Sequence, residues 1–309
     1  MMANIKNYIA IVRPSHWIKN LFVIPGFIAA QMFEPQFSAI NFLKLFIVLI
    51  STSFIASANY VINEWLDAKS DAHHPLKKNR PSVIGSVFLR EIVILYISLS
   101  VLGLAASALI SQTLLYIQLF FLFMGIIYNV PPVRLKDLPY LDVLSESINN
   151  PIRLLAGWYC VVDSPVPPLS LILGYWLGGA FLMNVKRYAE LRTLTTKEAA
   201  INYRKSFEFY TAEKLLSISL FYSMLSFFFI GIFTIRYIVE YLFVAPFLAY
   251  LYISYFNLGM QSGNVAESPE RLYKEKKLLV LLFSIIFLYF VFSIVNVELL
   301  GNLIKPLNV

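Results

Sequence analysis

Asn63, Glu64, Asp67 and Asp71 form the densest run of oxygen donors in the chain, within Asn63-Glu64-Trp65-Leu66-Asp67-Ala68-Lys69-Ser70-Asp71. Asn63, Asp67 and Asp71 are spaced i, i+4, i+8, so a continuing helix carries them on one face, with Glu64 beside them. A set of this kind suits Mg2+, which prefers hard oxygen ligands and bridges to substrate phosphates. His73, His74, Pro75, Lys77, Lys78, Arg80 and Pro81 follow at once. Cations next to such a metal hold phosphate oxygens and neutralise a leaving diphosphate. The plain alternative is a solvated helix end running into a basic loop. A second group follows: Tyr128, Arg134, Lys136, Asp137, Asp142, Glu146, Asn149, Asn150 and Arg153. Asp142, Glu146, Asn149 and Arg153 share a helix face by i+3 and i+4 steps. Arg153 sits inside an apolar stretch and needs a partner, for which Glu146 or Asp142 would serve. Two acidic patches, each flanked by cations, are harder to dismiss than one.

The elements that must position these groups are membrane spans. Of 309 residues, 59% are hydrophobic and only 14% charged, against about 25% charged in a soluble domain. That argues against a soluble enzyme, a nucleic-acid-binding domain and a disordered chain. The net charge of +7 fits basic inner loops rather than a nucleic-acid partner. At about 20 apolar residues per span, nine candidates are legible: 17–35, 39–66, 88–110, 113–129, 138–161, 169–190, 214–236, 238–257 and 277–302. They fill the chain, so one integral-membrane domain over 1–309 is expected, all-α and multi-pass, with no cleaved leader. Basic residues gather in four loops: Lys69 to Arg80, Arg134 and Lys136, Lys186 to Lys214, and Arg271 to Lys277. The positive-inside rule puts these loops and the N-terminus in the cytoplasm at the cell membrane, and the C-terminus outside. Both acidic groups then lie at the inner face, where ionisable residues against the bilayer mark function.

The remaining candidates have plainer readings. Cys160 stands alone, which excludes a disulfide framework. His16, His73 and His74 lack zinc-ligand spacing. Gly174 and Gly178 form a small-xxx-small pair suited to a close helix contact. The aromatic residues could line a lipid-chain groove, but interface belts and lipid-facing bulk account for most of them.

Together these residues resemble the UbiA superfamily of intramembrane prenyltransferases. Its first signature, Asn-Asp-x-x-Asp-x-x-x-Asp, matches Asn63, Asp67 and Asp71, with Glu64 where the family has Asp. Asp137 and Asp142 match the second aspartate-rich signature loosely, and Arg13-Pro14, Trp17, Lys19 and Asn20 resemble the opening pattern. The resemblance implies a nine-helix bundle that binds a polyprenyl diphosphate through two Mg2+ ions. On that basis Asn63, Asp67, Asp71 and Asp142, with Glu64 and Asp137 as further candidates, would hold metal; Asp67, Asp71 and Asp142 would be the catalytic carboxylates. Lys19, Lys77, Arg80, Arg134, Lys136 and Arg153 would bind the phosphate-bearing substrate.

Two further blocks, Lys186-Arg187-Tyr188-Ala189-Glu190-Leu191-Arg192 and Arg204-Lys205-Ser206-Phe207-Glu208-Phe209-Tyr210-Thr211, resemble the decaprenyl-phosphate phosphoribosyltransferase branch. So does the run Asp67, Asp71, His74, Pro75, Lys77, Arg80, Pro81. The stretch Leu135–Trp158 differs from that branch. The implied reaction is attack of a polyprenyl phosphate on phosphoribosyl diphosphate, with Lys186, Arg187, Arg204 and Lys205 holding a second phosphate-bearing substrate. Prenyl transfer to an aromatic or other acceptor is the alternative, because both reactions expel diphosphate at a metal–carboxylate site. A transporter is a third reading; the Gly/Pro-broken spans in matching halves that transporters often show are not found.

Overall fold

The computed structural model describes residues 5–33, 38–74, 77–194, 196–261, 275–295 and 297. Every regular element among them is helical: α1 Ile5–Val12, a 3-10 segment Pro14–Val23, α2 Ile24–Phe33, α3 Ala39–Asp71, α4 Leu89–Ala108, α5 Gln112–Asn129, α6 Leu141–Ser147, α7 Asn149–Trp158, α8 Leu169–Thr193, α9 Lys197–Tyr203, α10 Ala212–Tyr237, α11 Ala245–Met260 and α12 Lys276–Ile294. Short 3-10 turns lie at Leu135–Asp137, Lys205–Glu208 and Val239–Phe243. The chain divides into two compact units. One holds Met1–Pro167 and Leu194–Thr211; the other holds Pro168–Thr193 and Ala212–Val309.

Five of these helices, α3, α4, α5, α8 and α10, are long and apolar enough to cross a membrane. They correspond to the expected spans 39–66, 88–110, 113–129, 169–190 and 214–236. The other four expected spans take a different form, and prolines account for three of them. Span 17–35 is a 3-10 segment opening at Pro14 and passing into α2. Span 138–161 is broken at Ile148 into α6 and α7, because Pro151 has no N–H to carry the ladder across. Span 238–257 restarts at Pro246, leaving a 16-residue helix. Span 277–302 is α12 as far as Ile294; its end, like Pro75, Arg271 and Lys274, lies outside the described residues.

Polar residues face inward and large apolar ones outward, the pattern of a bundle solvated by lipid. In the first unit Ser51, Thr52, Ser57, Ser107 and Gln118 are fully buried, whereas Phe46, Ile94, Leu102 and Phe123 are more than half exposed. Several buried groups pair across helices: Gln118 Nε2 donates to Thr52 Oγ1 at 2.7 Å, and Ser51 Oγ donates to the Gly103 carbonyl at 2.8 Å. Ser38 and Ser111 cap α3 and α5, accepting from the amides of Asn41 and Leu114.

α2 and α7 cross at backbone distance. A Cβ on Gly26 would overlap the Leu154 carbonyl, and one on Gly157 the Val23 carbonyl. Neither oxygen can move without shifting a helix, so Gly157→Ala is expected to cost about 1–3 kcal/mol, read as a lowered midpoint of thermal unfolding. In the second unit, Gly174 gives α8 its close approach to α10, where Ser226 Oγ donates to the Gly174 carbonyl at 2.7 Å. The small-residue pair therefore does pack helices.

Candidate functional site at the inner end of the first unit

α3 runs unbroken for 33 residues to Asp71, so Asn63, Asp67 and Asp71 do ride one helix face. Asp67 is the hub. Its Oδ1 accepts from Arg134 at 2.9 Å and from the Lys136 ammonium, and its Oδ2 accepts from Asn63 Nδ2 at 3.2 Å. Asn129, the last residue of α5, accepts on Oδ1 from Asn63 and from Lys136, the latter at 2.9 Å. Lys136 is thus buried between a carboxylate and an amide. Burial pushes its ammonium down to about 8, against the upward pull of Asp67.

The turn after α5 aims these cations. Arg134 holds a left-handed backbone, φ 33°, which lets its guanidinium return to Asp67, to the Asn129 carbonyl at 3.2 Å and to Asp137 at 3.2 Å. Arg13 (φ 54°) and Tyr140 (φ 65°) are the other non-glycine residues in that region among those described. All three flank the site, where such strain, of order 1–3 kcal/mol each, tends to gather.

One helical turn beyond Asp67, buried Asp71 accepts from Arg80 at 2.5 Å. Burial works to lower the Arg80 guanidinium, but the carboxylates of Asp71 and Glu64 hold it above its ordinary value. Lys77 bonds the Tyr203 hydroxyl, and the Tyr203 ring packs on buried His74 at 4.6 Å. Of the cations expected after α3, Arg80 pairs with a carboxylate and Lys77 with a phenol.

The segment 196–211 folds back onto the same place. Fully buried Asp142, in the first turn of α6, accepts from Tyr210 Oη at 2.7 Å and Ser206 Oγ at 3.1 Å, with Arg204 at 3.9 Å. Arg204 also reaches the Tyr128 hydroxyl at 3.4 Å. Lys205, largely exposed, lies 3.7 Å from Asp137. Asp142→Ala is expected to cost about 1–3 kcal/mol, since two hydroxyl donors lose their acceptor. Faster tryptic cleavage around Lys197 and Lys205 would report the loosened segment.

Other expected residues sit elsewhere. Arg153 Nε donates to Asn20 at 2.9 Å and its NH1 to the Asn149 carbonyl at 3.0 Å, with its guanidinium over the Phe121 ring. Glu146 accepts from Tyr128 at 2.9 Å. Lys19 approaches His16 Nδ1 at 3.4 Å. Lys186 and Arg187 belong to the second unit, where buried Arg187 pairs with Glu190 at 3.0 Å. Glu64, a further metal candidate from the sequence, lies against other groups. Its carboxylate is taken by Arg13 at 2.7 Å and Ser82 at 3.3 Å.

Asn129, Ser206, Tyr210 and Tyr203 were not singled out as site residues by the sequence. Ser206 and Tyr210 stood inside the Arg204–Thr211 block, and Asn129 carried a local signal of its own, an amide closing an apolar helix just before Pro131-Pro132. The donors are oxygen-only, which is the chemistry Mg2+ selects. Each carboxylate is matched to a cation or hydroxyl, and among the described residues no three of His, Cys, Asp or Glu converge on one metal position. The donor types fit the ion; gathering them requires Lys136 and Arg134 to yield Asp67.

Three comparisons bear on this site. The chain is 29% identical over 205 residues to decaprenyl-phosphate phosphoribosyltransferase of Mycobacterium tuberculosis, covering 66% of each chain. It therefore spans slightly under two thirds of that relative's length. It is 31% identical over 123 residues to a lycopene elongase/hydratase of Haloarcula japonica, covering 38% of this chain and 39% of that one. Its fold matches a UbiA homolog from Archaeoglobus fulgidus bound to GPP and Mg2+, with a TM-score of 0.70, 21% identity, and coverage of 94% of this chain and 100% of that one. The sequence profile of the UbiA prenyltransferase family matches residues 22–281, which take in every helix from α2 to α11 and the whole acidic site. The chain, helical in every regular element among its described residues, therefore belongs to the UbiA prenyltransferase family.

Proposed function

We propose that this chain catalyses Mg2+-dependent transfer to or from a polyprenyl lipid with diphosphate as leaving group, and that the reaction is phosphoribosyl transfer from phosphoribosyl diphosphate to a polyprenyl phosphate. The whole chain acts as one domain of nine spans, with its N-terminus and site cytoplasmic. The observation that carries this reading is the cation-lined hub at Asp67, where Arg134 and Lys136 converge on one carboxylate oxygen. The match to a protein named for this reaction favours the phosphoribosyl branch.

Asn63, Asp67, Asp71 and Asp142 would hold Mg2+, directly or through water. The ion would neutralise charge building on the departing diphosphate. Lys136 and Arg134, released from Asp67, bind diphosphate oxygens, and Lys77 and Arg80 reach the same anion from the loop after α3. Arg204 and Lys205 serve the second phosphate-bearing substrate; Lys186 and Arg187 are assigned to it from the sequence alone, as is Lys19. A lipid phosphate oxygen then bonds to the anomeric carbon while the carbon–oxygen bond to diphosphate breaks, and diphosphate leaves with the bonding pair. The second reading, prenyl transfer from a polyprenyl diphosphate to another acceptor, is favoured by the structural neighbour bound to GPP and Mg2+.

The test supplies purified chain in detergent with Mg2+, a polyprenyl phosphate and labelled phosphoribosyl diphosphate. Mg2+-dependent label in the organic phase, lost in Asp67→Asn, is the expected result. No label across several lipid lengths, with folded protein, moves the assignment to prenyl transfer.

A further inference from the structure

The segment from Arg13 to Asn20 lies along α3 as a ladder of matched side chains. Arg13 donates to Glu64 at 2.7 Å, the His16 ring meets Tyr60 edge-on at 5.1 Å, Trp17 Nε1 donates to Ser57 at 2.9 Å, and Asn20 Nδ2 donates to Ser53 at 2.8 Å. The α3 partners, residues 64, 60, 57 and 53, step by four, three and four, so they share a face. Asn63, the neighbouring position, points about 100° away from Glu64, whereas Asp67, three residues on, borders the same stripe. Glu64 is 2% exposed and both its oxygens are engaged: Oε2 by Arg13, Oε1 by Ser82 at 3.3 Å. Ser82 also donates to the Glu64 backbone carbonyl at 3.0 Å, which ties the loop carrying Lys77 and Arg80 to the same turn.

We propose that Glu64 is a positioning residue and not a metal ligand. It fastens two separate pieces, the 13–20 segment and the Lys77–Arg80 loop, to the inner end of α3, and so sets where Arg80 stands beside Asp71. The acidic signature prefers aspartate at this position; the glutamate here is longer by one C–C bond, about 1.5 Å, and its carboxylate lies on Arg13. The inference rests on the transferase reading for its substrate, but the latch itself does not.

The test uses the full chain in detergent and three readouts: Mg2+ binding to substrate-free protein by calorimetry, kcat and KM for the diphosphate substrate, and the unfolding midpoint. For Glu64→Gln the Mg2+ affinity is expected to stay within about twofold, while KM for the diphosphate substrate rises about tenfold. The midpoint falls by about 5 °C. Arg13→Gln should give the same pattern, the double variant should be no worse than either single one, and the swap Arg13→Glu/Glu64→Arg should recover the midpoint. If Glu64→Gln does not fold, the swap and Arg13→Lys, which keeps the charge, carry the test. A tenfold or greater loss of Mg2+ affinity in Glu64→Gln, with Arg13→Gln unaffected, overturns the proposal and makes Glu64 a ligand. Additive losses in the double variant, or a swap that recovers nothing, overturn it as well. Asp67→Asn is the control: if it too leaves Mg2+ affinity unchanged, the metal reading of the site fails, and the latch is judged on coupling and swap alone.

Discussion

Asp67→Asn is expected to lower Mg2+-dependent turnover by about 10³-fold or more while leaving the fold intact. Asp67 binds Arg134, Lys136 and Asn63 at once, with both cations on one carboxylate oxygen. An asparagine keeps the shape and some hydrogen bonds, but its neutral amide oxygen is a weaker ligand than a carboxylate and supplies no negative charge to trade Lys136 for a divalent cation. The fold survives because Lys136 is the group left over, and its ammonium already stands at about 8 instead of 10.5. Removing the upward pull of Asp67 lowers it further, so the buried lysine sheds its proton more readily than in the native chain.

The sign follows from proton binding. Between about pH 8 and 10.5 the unfolded chain holds a proton that the folded Lys136 does not, so stability rises with pH across that window. In Asp67→Asn the window opens at lower pH. Turnover assays paired with unfolding curves at pH 6 to 10 check both halves. Full turnover in the variant would remove Asp67 from the metal site.

The second large effect lies in the other unit. Glu190→Leu is expected to destabilise the chain by about 3–5 kcal/mol. It leaves the guanidinium of Arg187, 0% exposed, without the carboxylate that holds it at 3.0 Å. The double variant Arg187→Met/Glu190→Leu should regain at least half of that loss, because both charges leave together. The unfolding midpoint in detergent measures it. The same pair of variants separates structure from binding: if Arg187 also holds a substrate phosphate, the double variant recovers stability but not turnover. If turnover returns with stability, Arg187 is structural and leaves the list of substrate cations.

Within the sequence, hydropathy and i+4 spacing were sufficient for α3 and its row of Asn63, Asp67 and Asp71. The same signals located α4, α5, α8 and α10 to within a few residues. These are local properties: a helix face depends only on residues three and four apart, and a span only on its own apolar content. The 138–161 stretch shows where that logic stops. Its mean apolar content reads as one span, yet one proline at 151 divides it into α6 and α7.

Which cation meets which carboxylate was not legible. Arg13 lies 51 residues from Glu64, Lys136 lies 69 from Asp67, and Tyr210 lies 68 from Asp142. The sequence carried Glu64 as a further metal candidate, beside Asn63 and at a signature position; that its carboxylate meets Arg13 depends on packing of the 13–20 segment along α3. The sequence likewise placed Arg204 and Arg187 in one basic loop, and the fold put them in different units. Residue types and helical periodicity thus determined that this protein carries oxygen donors and cations at the ends of apolar helices. Tertiary structure alone decided their partners, because a pairing across the bundle depends on how helices far apart in the chain pack in space, and no local period encodes that.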